Sequence, residues 1–504
     1  MKNKIIPNKD LKKKVKFLKK NKKKIVLCHG VFDLFHIGHL RHLKFAKKNS
    51  DILFVSLTSD RFVRKGYGKP VFNENLRAEL VSSISEVDYV FISDKESAVD
   101  SIKVVQPDYY CKGKEYKKND ITKKIKLEIR EVKKYSGKII YSDDLTHSSS
   151  ELINQNFKIF SKEQEKIINY IKKNYIFEDI VKEIEKISKL NAIILGEIII
   201  DEYVFSEAVG KSAKEPILIL QENKIEKYIG GAGAIAKNAN NFCNNTSLIS
   251  YVGDKNNTHF INQLVGKDIK KFFIKKYMSP TIIKRRYVDQ SNNSKLFGVY
   301  NFNNDDLGNI NEKEIIKVYN SEIKKNDLVI IADYGHGLIS SNFTKLICKS
   351  KKFFSINVQL NASNSSYHSL NKYKKSNLLV MNERELRNEF RDKNSDIKSL
   401  IQKTSRFKNF KLILVTRGSE GLLLYDIKNK KYYECPAFAE NIIDKIGSGD
   451  IVHTIFSLCI KAKIDYILSL FISSIAAAEK IKSFANKNLI DKNILLKIIS
   501  HYLK

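Results

Sequence analysis

The stretch from His29 to Lys47 reads HGVFDLFHIGHLRHLKFAK, and it follows the apolar run KIVLC at 24–28. A strand that breaks at His29-Gly30 and gives way within a few residues to a helix leaves a turn facing a helix N-terminus. Bare N–H groups and the positive end of the helix dipole favour an anion there. Gly38, between His36 and His39, carries no side chain to obstruct a phosphate. His36, His39 and His42 recur every three residues, which raises a metal site as the rival reading. At about 100° per residue, His36 and His42 stand about 120° apart around a helix, so the trio does not converge on one ion. No carboxylate completes an H-E-x-x-H pattern either. The stretch reads as a phosphate cradle at a helix start, with His42 a bystander and His29 without an assigned role.

Outward from this stretch, short apolar runs alternate with helical patterns as far as about Leu152: KIVLCHG, DILFVSLTSD, VDYVFISD, PDYYCKG and GKIIYSDD are the strands. Strands spaced by helices of ten to fifteen residues predict a parallel sheet with helices on both faces. Residues 152–190 contain neither glycine nor proline and place isoleucines at helical spacing, predicting two amphipathic helices that join two domains. A second strand and helix series starts at NAIILGEIIID and runs to the end, with its glycine-rich elements at strand ends, where open α/β sheets place ligands. The fold class is therefore α/β in two domains: residues 1–155, a helical linker at 156–190, and residues 191–504.

Lys+Arg of 90 against Asp+Glu of 56 gives a net charge of +34. The excess is mostly lysine spread along the whole chain rather than concentrated with aromatics on one element, which argues against a nucleic-acid-binding protein and for attraction of small anionic substrates. Six cysteines without a C-x-x-C pair favour reduced thiols in the cytoplasm. The cationic N-terminus lacks the apolar core of a secretory signal, and no stretch is apolar enough to span a membrane, so a soluble protein without membrane partners is expected.

GVFDLFHIGH at 30–39, LTSD at 57–60, RKGYGKP at 64–70, Arg77, VDYV at 87–90, PDYYCKG at 107–113 and HSSSELI at 147–153 together resemble the cytidylyltransferase-like nucleotidyltransferases. That family includes the adenylyltransferase half of bacterial ADP-heptose synthases and the glycerol-3-phosphate cytidylyltransferases. The resemblance implies a Rossmann-like domain that transfers a nucleotidyl group from a nucleoside triphosphate to a phosphorylated sugar or alcohol and releases pyrophosphate. By the same resemblance Gly30, Val31 and Phe32 bind the nucleotide through the backbone, and His36 and His39 hold the triphosphate. Lys65 and Arg77 neutralise phosphates, and Ser148, Ser149 and Ser150 stand where the family has a Ser-Thr-Thr run at a helix start. The substrate phosphate would attack the α-phosphorus in line, with Mg²⁺ as cofactor, so catalysis is positioning and charge stabilisation.

In the second series, GEIIIDEY at 196–203, Gly230-Gly231, YVGD at 251–254, ADYGHG at 332–337, MNERE at 381–385, VTRGSEG at 415–421 and IGSGD at 446–450 resemble the ribokinase-like carbohydrate kinases. The match is nearest the heptose-phosphate kinase half of ADP-heptose synthases. It implies Asp450 as general base, Gly447, Ser448 and Gly449 as anion hole, and Asn382 with Glu385 as the Mg²⁺ and phosphate shell. Thr416 and Gly418 would join the ATP site, and Asp201, Gly230 and Gly231 the sugar site. The chain departs from that pattern in four places: Ala234 and Ile235 stand where asparagine is expected, His336 replaces a lysine, Asn357-Val358 replaces aspartate-proline, and Ile446 replaces a small or polar residue.

Taken together, the two resemblances imply a bifunctional enzyme with the two halves in the reverse order from heptose synthases. It would phosphorylate a sugar phosphate and attach a nucleotide from ATP or CTP to a sugar 1-phosphate, giving an activated sugar for a surface glycan such as lipopolysaccharide. The alternative is a cytidylyltransferase whose kinase-like half only regulates. Nucleoside triphosphates and sugar phosphates are the expected partners, and a homodimer is compatible with this reading.

Overall fold

The computed structural model describes residues 4–503 apart from 64–68, 96, 115–123, 143–159, 255–257, 362, 365–366, 440–441 and 488. The expected Lys65, Ser148, Ser149 and Ser150 lie outside the described residues. The chain divides into two compact units, residues 1–161 with 493–504, and residues 162–492.

The first unit is built on five strands, β1 (Ile25–Gly30), β2 (Ile52–Thr58), β3 (Tyr89–Ser93), β4 (Tyr109–Gly113) and β5 (Lys138–Ser142). They lie in the order β3-β2-β1-β4-β5, and every pairing is parallel. Alternation along β1 explains the three layers, because successive side chains point to opposite faces. Val26 and Cys28 join one apolar cluster with Leu43, Ala46, Ala78 and Val81 from the helices Ile37–Lys48 and Glu74–Ser82. Ile25 and Leu27 join the opposite cluster with Leu11, Val15, Ile102 and Val105 from the helices Asn8–Lys20 and Val99–Val105.

In the second unit the helices Lys162–Asn174 and Phe177–Ile187 precede the sheets; these are the segments whose isoleucine spacing suggested a linker, and Ile167, Ile168, Ile171, Ile180, Ile184 and Ile187 form their buried faces. The strands are β6 (Asn191–Gly196), β7 (Ile198–Lys211), β8 (Leu218–Gly230), β9 (Asn245–Gly253), β10 (Lys270–Lys276), β11 (Ile282–Asp289) and β12 (Lys295–Asn301). They continue with β13 (Leu328–Asp333), β14 (Phe353–Val358), β15 (Lys375–Asn382), β16 (Asn409–Thr416), β17 (Leu422–Asp426) and β18 (Lys431–Cys435). Nine form one sheet in the order β10-β9-β6-β13-β14-β15-β16-β17-β18, and four form a second, β12-β11-β7-β8. The large sheet is parallel from β10 to β16 and turns antiparallel for its last two strands. Among the described residues no helix is long and apolar enough to cross a membrane.

Glu197 occupies the break between β6 and β7 and is fully buried. Its carboxyl accepts the backbone N–H groups of Tyr334 (3.0 Å), His336 (3.1 Å) and Leu338 (3.3 Å), so one side chain holds the loop that follows β13. Burial and the neighbouring Asp333 raise its pKa. Removing this acceptor leaves three buried donors without a partner, each a desolvation cost of about 1 kcal/mol or more. Glu197→Ala is therefore expected to destabilise the second unit by about 3 kcal/mol and Glu197→Gln by less, measured by denaturant titration of the full chain; equal stability of the alanine variant and the parent would refute this.

Candidate active sites

In the first unit, β1 ends at Gly30 and the chain turns sharply, with Phe32 and Leu34 both at positive φ, 51° and 39°. Phe32 is buried in the core, and a side chain at Gly30 would sit 3.1 Å from its ring. His36 stands just before the helix and caps it: its Nδ1 accepts Gly38 N–H at 3.1 Å while His39 Nδ1 accepts His36 N–H at 3.4 Å. The two rings lie 4.1 Å apart at 35°, and His39 also contacts the rings of Phe32 and Phe35. The arrangement brings two imidazoles to the positive end of a helix dipole, the setting expected for a triphosphate.

Arg77, expected from resemblance to neutralise phosphate, is fully buried. Its guanidinium donates to the carbonyls of Val31, Thr58 (2.9 Å) and Phe72 (2.9 Å) and pairs with Asp60 at 2.6 Å. All five donors of a guanidinium lie in one plane, so a side chain engaged on four acceptors ties the cradle turn to β2. Asp33 does similar work from the other side, accepting the N–H groups of Val71 (2.8 Å) and Phe72 (3.1 Å). His29 resolves as structural: its ring lies between Ser56 Oγ (3.0 Å) and Thr58 Oγ1 (3.4 Å). Dehydration and then the Lys112 ammonium lower its pKa to about 3, so it stays neutral.

Lys112 itself is a site candidate the sequence reading passed over. It stands near the end of β4, one residue beyond the Cys28–Cys111 pairing with β1, at the switch point where the strand order reverses and ligands bind in such sheets. Its ammonium is 3.5 Å from buried Glu128, which also accepts Tyr110 OH at 2.9 Å. The only signal in the sequence was a lysine between strand and glycine in PDYYCKG.

In the second unit, Gly447 precedes the helix Ser448–Lys461 with a positive φ of 81°. Asp444 fixes the turn before it, accepting Ile446 N–H and Ala485 N–H at 3.1 Å, Tyr203 OH at 2.8 Å and pairing with Lys295 at 2.6 Å. Ser448 Oγ donates to Lys445 O, and a side chain at Gly449 would meet nothing within 4 Å, so the turn is open on that side. Asp450 Oδ1 accepts Tyr334 OH at 2.9 Å. Loss of hydration raises the Asp450 pKa to about 6, with Tyr334, Lys284 and Lys480 pulling it back and Asp201 adding to the rise.

Asp201 is buried, pairs with Arg286 at 2.6 Å, and lies so near Gly230 that an added Cβ there would stand 2.1 Å from its Oδ2. Gly231 has a φ of 56° and opens the helix Gly231–Asn240. Asn382 and Glu385 cap the helix Glu383–Phe390 reciprocally, each bond 2.8 Å long. Burial raises the Glu385 carboxyl to about 7, opposed by bonds from Asn382, Leu360 and Asn357 and reinforced by Asp450. Asn382, Thr416 and Gly418 line a cleft of about 710 Å³ together with Arg387, Arg391 and Arg417. The oxygen donors of Asn357, Asn382, Glu385 and Asp450 make a hard, partly charged set of the kind that suits Mg²⁺ with its retained waters.

Three cations here were not singled out from the sequence: Lys284, Arg286 and Lys480. Lys284 is influenced by Asp201, Asp450 and Glu197, and burial lowers its pKa; burial lowers Lys480 to about 8, against the opposing pull of Asp444, Asp450 and Asp201. His336, which replaces a lysine, carries no compensating charge, because burial and the charges of Lys284 and Lys276 lower its pKa to about 4.

Comparison with known proteins follows the same division. Residues 189–491 match the pfkB family carbohydrate kinase model and residues 27–156 the cytidylyltransferase-like model. The chain is 25% identical over 267 residues to the bifunctional protein HldE of Nitratiruptor sp., covering 52% of this chain and 55% of that protein. It is 38% identical over 132 residues to the bifunctional protein HldE of Campylobacter jejuni serotype O:6, covering 23% and 29%. The chain thus spans well under two thirds of these relatives. A putative ribokinase from Agrobacterium tumefaciens superposes with a TM-score of 0.49 at 13% identity over 62% of this chain and 99% of that one.

If Arg77 works as the buried tie described above, Arg77→Ala leaves three carbonyls and Asp60 without their donor and destabilises the first unit by about 3 kcal/mol or more. Calorimetry of the full chain reads this directly; unchanged stability with slowed turnover would return Arg77 to the phosphates.

Proposed function

Since the chain belongs to the pfkB family of carbohydrate kinases and carries a cytidylyltransferase-like domain ahead of it, we propose that it is a bifunctional transferase. The second unit phosphorylates a sugar phosphate of heptose-phosphate type with ATP. The first transfers a nucleotidyl group from ATP or CTP to a sugar 1-phosphate, releasing pyrophosphate, toward an activated sugar for a surface glycan. The names of the HldE relatives support the pairing of two activities, and nucleotide substrates are consistent with a cytoplasmic location.

The observation that carries the kinase reading is the setting of Asp450. A carboxylate poised near pH 6, held by Tyr334 beside an open glycine turn and within the influence of Lys284, Lys480 and Glu385, has the attributes of a general base. It would take the proton of the attacking hydroxyl as Lys284 and Lys480 offset charge on the transferring phosphoryl group. Mg²⁺, held by Glu385 and Asn382, would neutralise the ATP phosphates. This assembled machinery favours a working kinase over a purely regulatory half. Arg286 and Lys284 around Asp201 also supply positive charge on the sugar side, as a substrate already bearing a phosphate requires.

In the first unit no covalent intermediate is needed. Lys112, His36 and His39 would bind the triphosphate while the acceptor phosphate attacks in line, and the histidines would donate hydrogen bonds to the leaving pyrophosphate as charge moves onto it.

A screen of nucleotides against sugar phosphates, reading ADP and pyrophosphate separately, tests both halves. His39→Ala is expected to abolish pyrophosphate release with the circular dichroism spectrum unchanged, and normal turnover would refute the cradle. Asp450→Asn is expected to lower ADP release by about two to four orders of magnitude without affecting pyrophosphate release.

The base must be ionised, so the kinase rate is expected to fall as pH drops through about 6. Tyr334 donates to the charged form and holds that pKa down, so Tyr334→Phe is expected to move the limb to higher pH. A limb that stays in place in this variant would remove Asp450 from the role.

A further inference from the structure

Two of the six cysteines lie side by side in the first unit, outside the residues assigned to nucleotide chemistry. Cys28 of β1 and Cys111 of β4 are register partners on adjacent parallel strands, both fully buried, with their sulfurs within 4.8 Å of each other. His42, three residues beyond His39 on the helix Ile37–Lys48, brings its Nδ1 to 3.9 Å from Cys111 Sγ and 2.7 Å from Ser142 Oγ at the end of β5. The sulfurs and the imidazole nitrogen all lie within 4.8 Å of one another, and among the described residues this is the one place where three histidine, cysteine or acidic side chains converge so closely.

Helical geometry ruled out an ion shared by His36, His39 and His42. It does not apply here, because the partners of His42 come from neighbouring strands. A tetrahedral ion with zinc–sulfur bonds of about 2.3 Å and zinc–nitrogen bonds of about 2.0 Å needs its donors roughly 3.5 Å apart. The Sγ–Nδ1 separation of 3.9 Å is already near that value, so binding asks for side-chain adjustments, not for movement of the strands. Two sulfurs and an imidazole are soft donors that select zinc-like ions over Mg²⁺ or Ca²⁺, which take oxygen. Ser142 is buried too, and its hydroxyl stands beside the nitrogen where a fourth ligand would complete the shell.

We propose that Cys28, Cys111 and His42 form a zinc site, with Ser142 at its fourth position. On binding, each thiol releases its proton to solvent and donates a sulfur lone pair to the ion, and no oxidation state changes. The ion would join β1, β4 and β5 to the helix that His36 caps and whose first turn carries His39, and so fix the cradle helix against the sheet from a point that does not touch the nucleotide.

Cobalt(II) added to the reduced full-length chain is the probe. The expected result is one cobalt per chain, with a thiolate-to-metal charge-transfer band and the visible bands of a tetrahedral ion, all bleached by zinc. Cys28→Ser, Cys111→Ser and His42→Gln are expected to abolish or strongly weaken the charge-transfer band, and Ser142→Ala to weaken binding by about tenfold to a hundredfold. Cys243→Ser, in the second unit, should leave the spectrum as it is. Zinc should also raise the melting temperature of the parent chain and not that of His42→Gln, whose metal-free melt reports whether it folds. No cobalt–thiolate absorption in the parent, absorption unaltered in both cysteine variants, or a Cys28–Cys111 disulfide in place of metal binding would overturn the assignment.

Discussion

A parallel sheet delivers the carboxyl ends of its strands to a common edge, and that constraint organises the chemistry of both units. No hairpin joins parallel neighbours, so each strand end must hand the chain to a loop and a helix that crosses a face. The loops collect at one edge with backbone N–H groups and helix N-termini exposed. In the first unit Gly30, His36, His39 and Lys112 stand at the ends of β1 and β4 or just beyond them; in the second, Asn382 and Thr416 end β15 and β16, and Tyr334 and the Gly447 turn come after β13 and β18. Such an edge attracts anions before any side chain is chosen, and the side chains then decide what is done to them.

Keeping those loops in place requires polar groups that are themselves taken out of water. Arg77 on three carbonyls and Asp60, Asp33 on two N–H groups, Glu197 on three, and Asp444 on two N–H groups, a hydroxyl and an ammonium are four versions of one solution. A buried charge is tolerated when nearly every lone pair or proton it offers has a partner. Each of these residues therefore acts on the site through the shape of a loop. Two carboxyls of the second unit, Asp450 and Glu385, keep a perturbed acidity near neutral pH because burial opposes their ionisation.

Much of this was readable from the chain. The alternation in KIVLCHG and its companions announced the parallel sheet, and HGVFDLFHIGH announced the turn from β1 into its helix, because strand period and helix period differ and the glycines mark the joints. Other features were hidden for physical reasons. The small sheet β12-β11-β7-β8 has one exposed strand, β12, and a largely exposed β8 rich in charged residues, so its pattern resembles loop more than buried strand. The burial of Arg77 was hidden because sequence shows charge and not burial. Cys28, His42 and Cys111 are separated by up to 83 residues, and only the pairing of β1 with β4 reveals that they meet. Lys284, Arg286 and Lys480 carry no motif; they matter by proximity to Asp201 and Asp450.

The reciprocal cap of His36 and His39 has a further chemical consequence. Both rings accept a backbone N–H at Nδ1, which leaves that nitrogen without a proton and fixes each neutral imidazole in the tautomer protonated at Nε2. Any hydrogen bond from either histidine to a phosphate oxygen must then leave through Nε2, and a second proton can be taken up only by giving up the bond that starts the helix. The backbone thus assigns each ring a donor face and an acceptor face before substrate arrives.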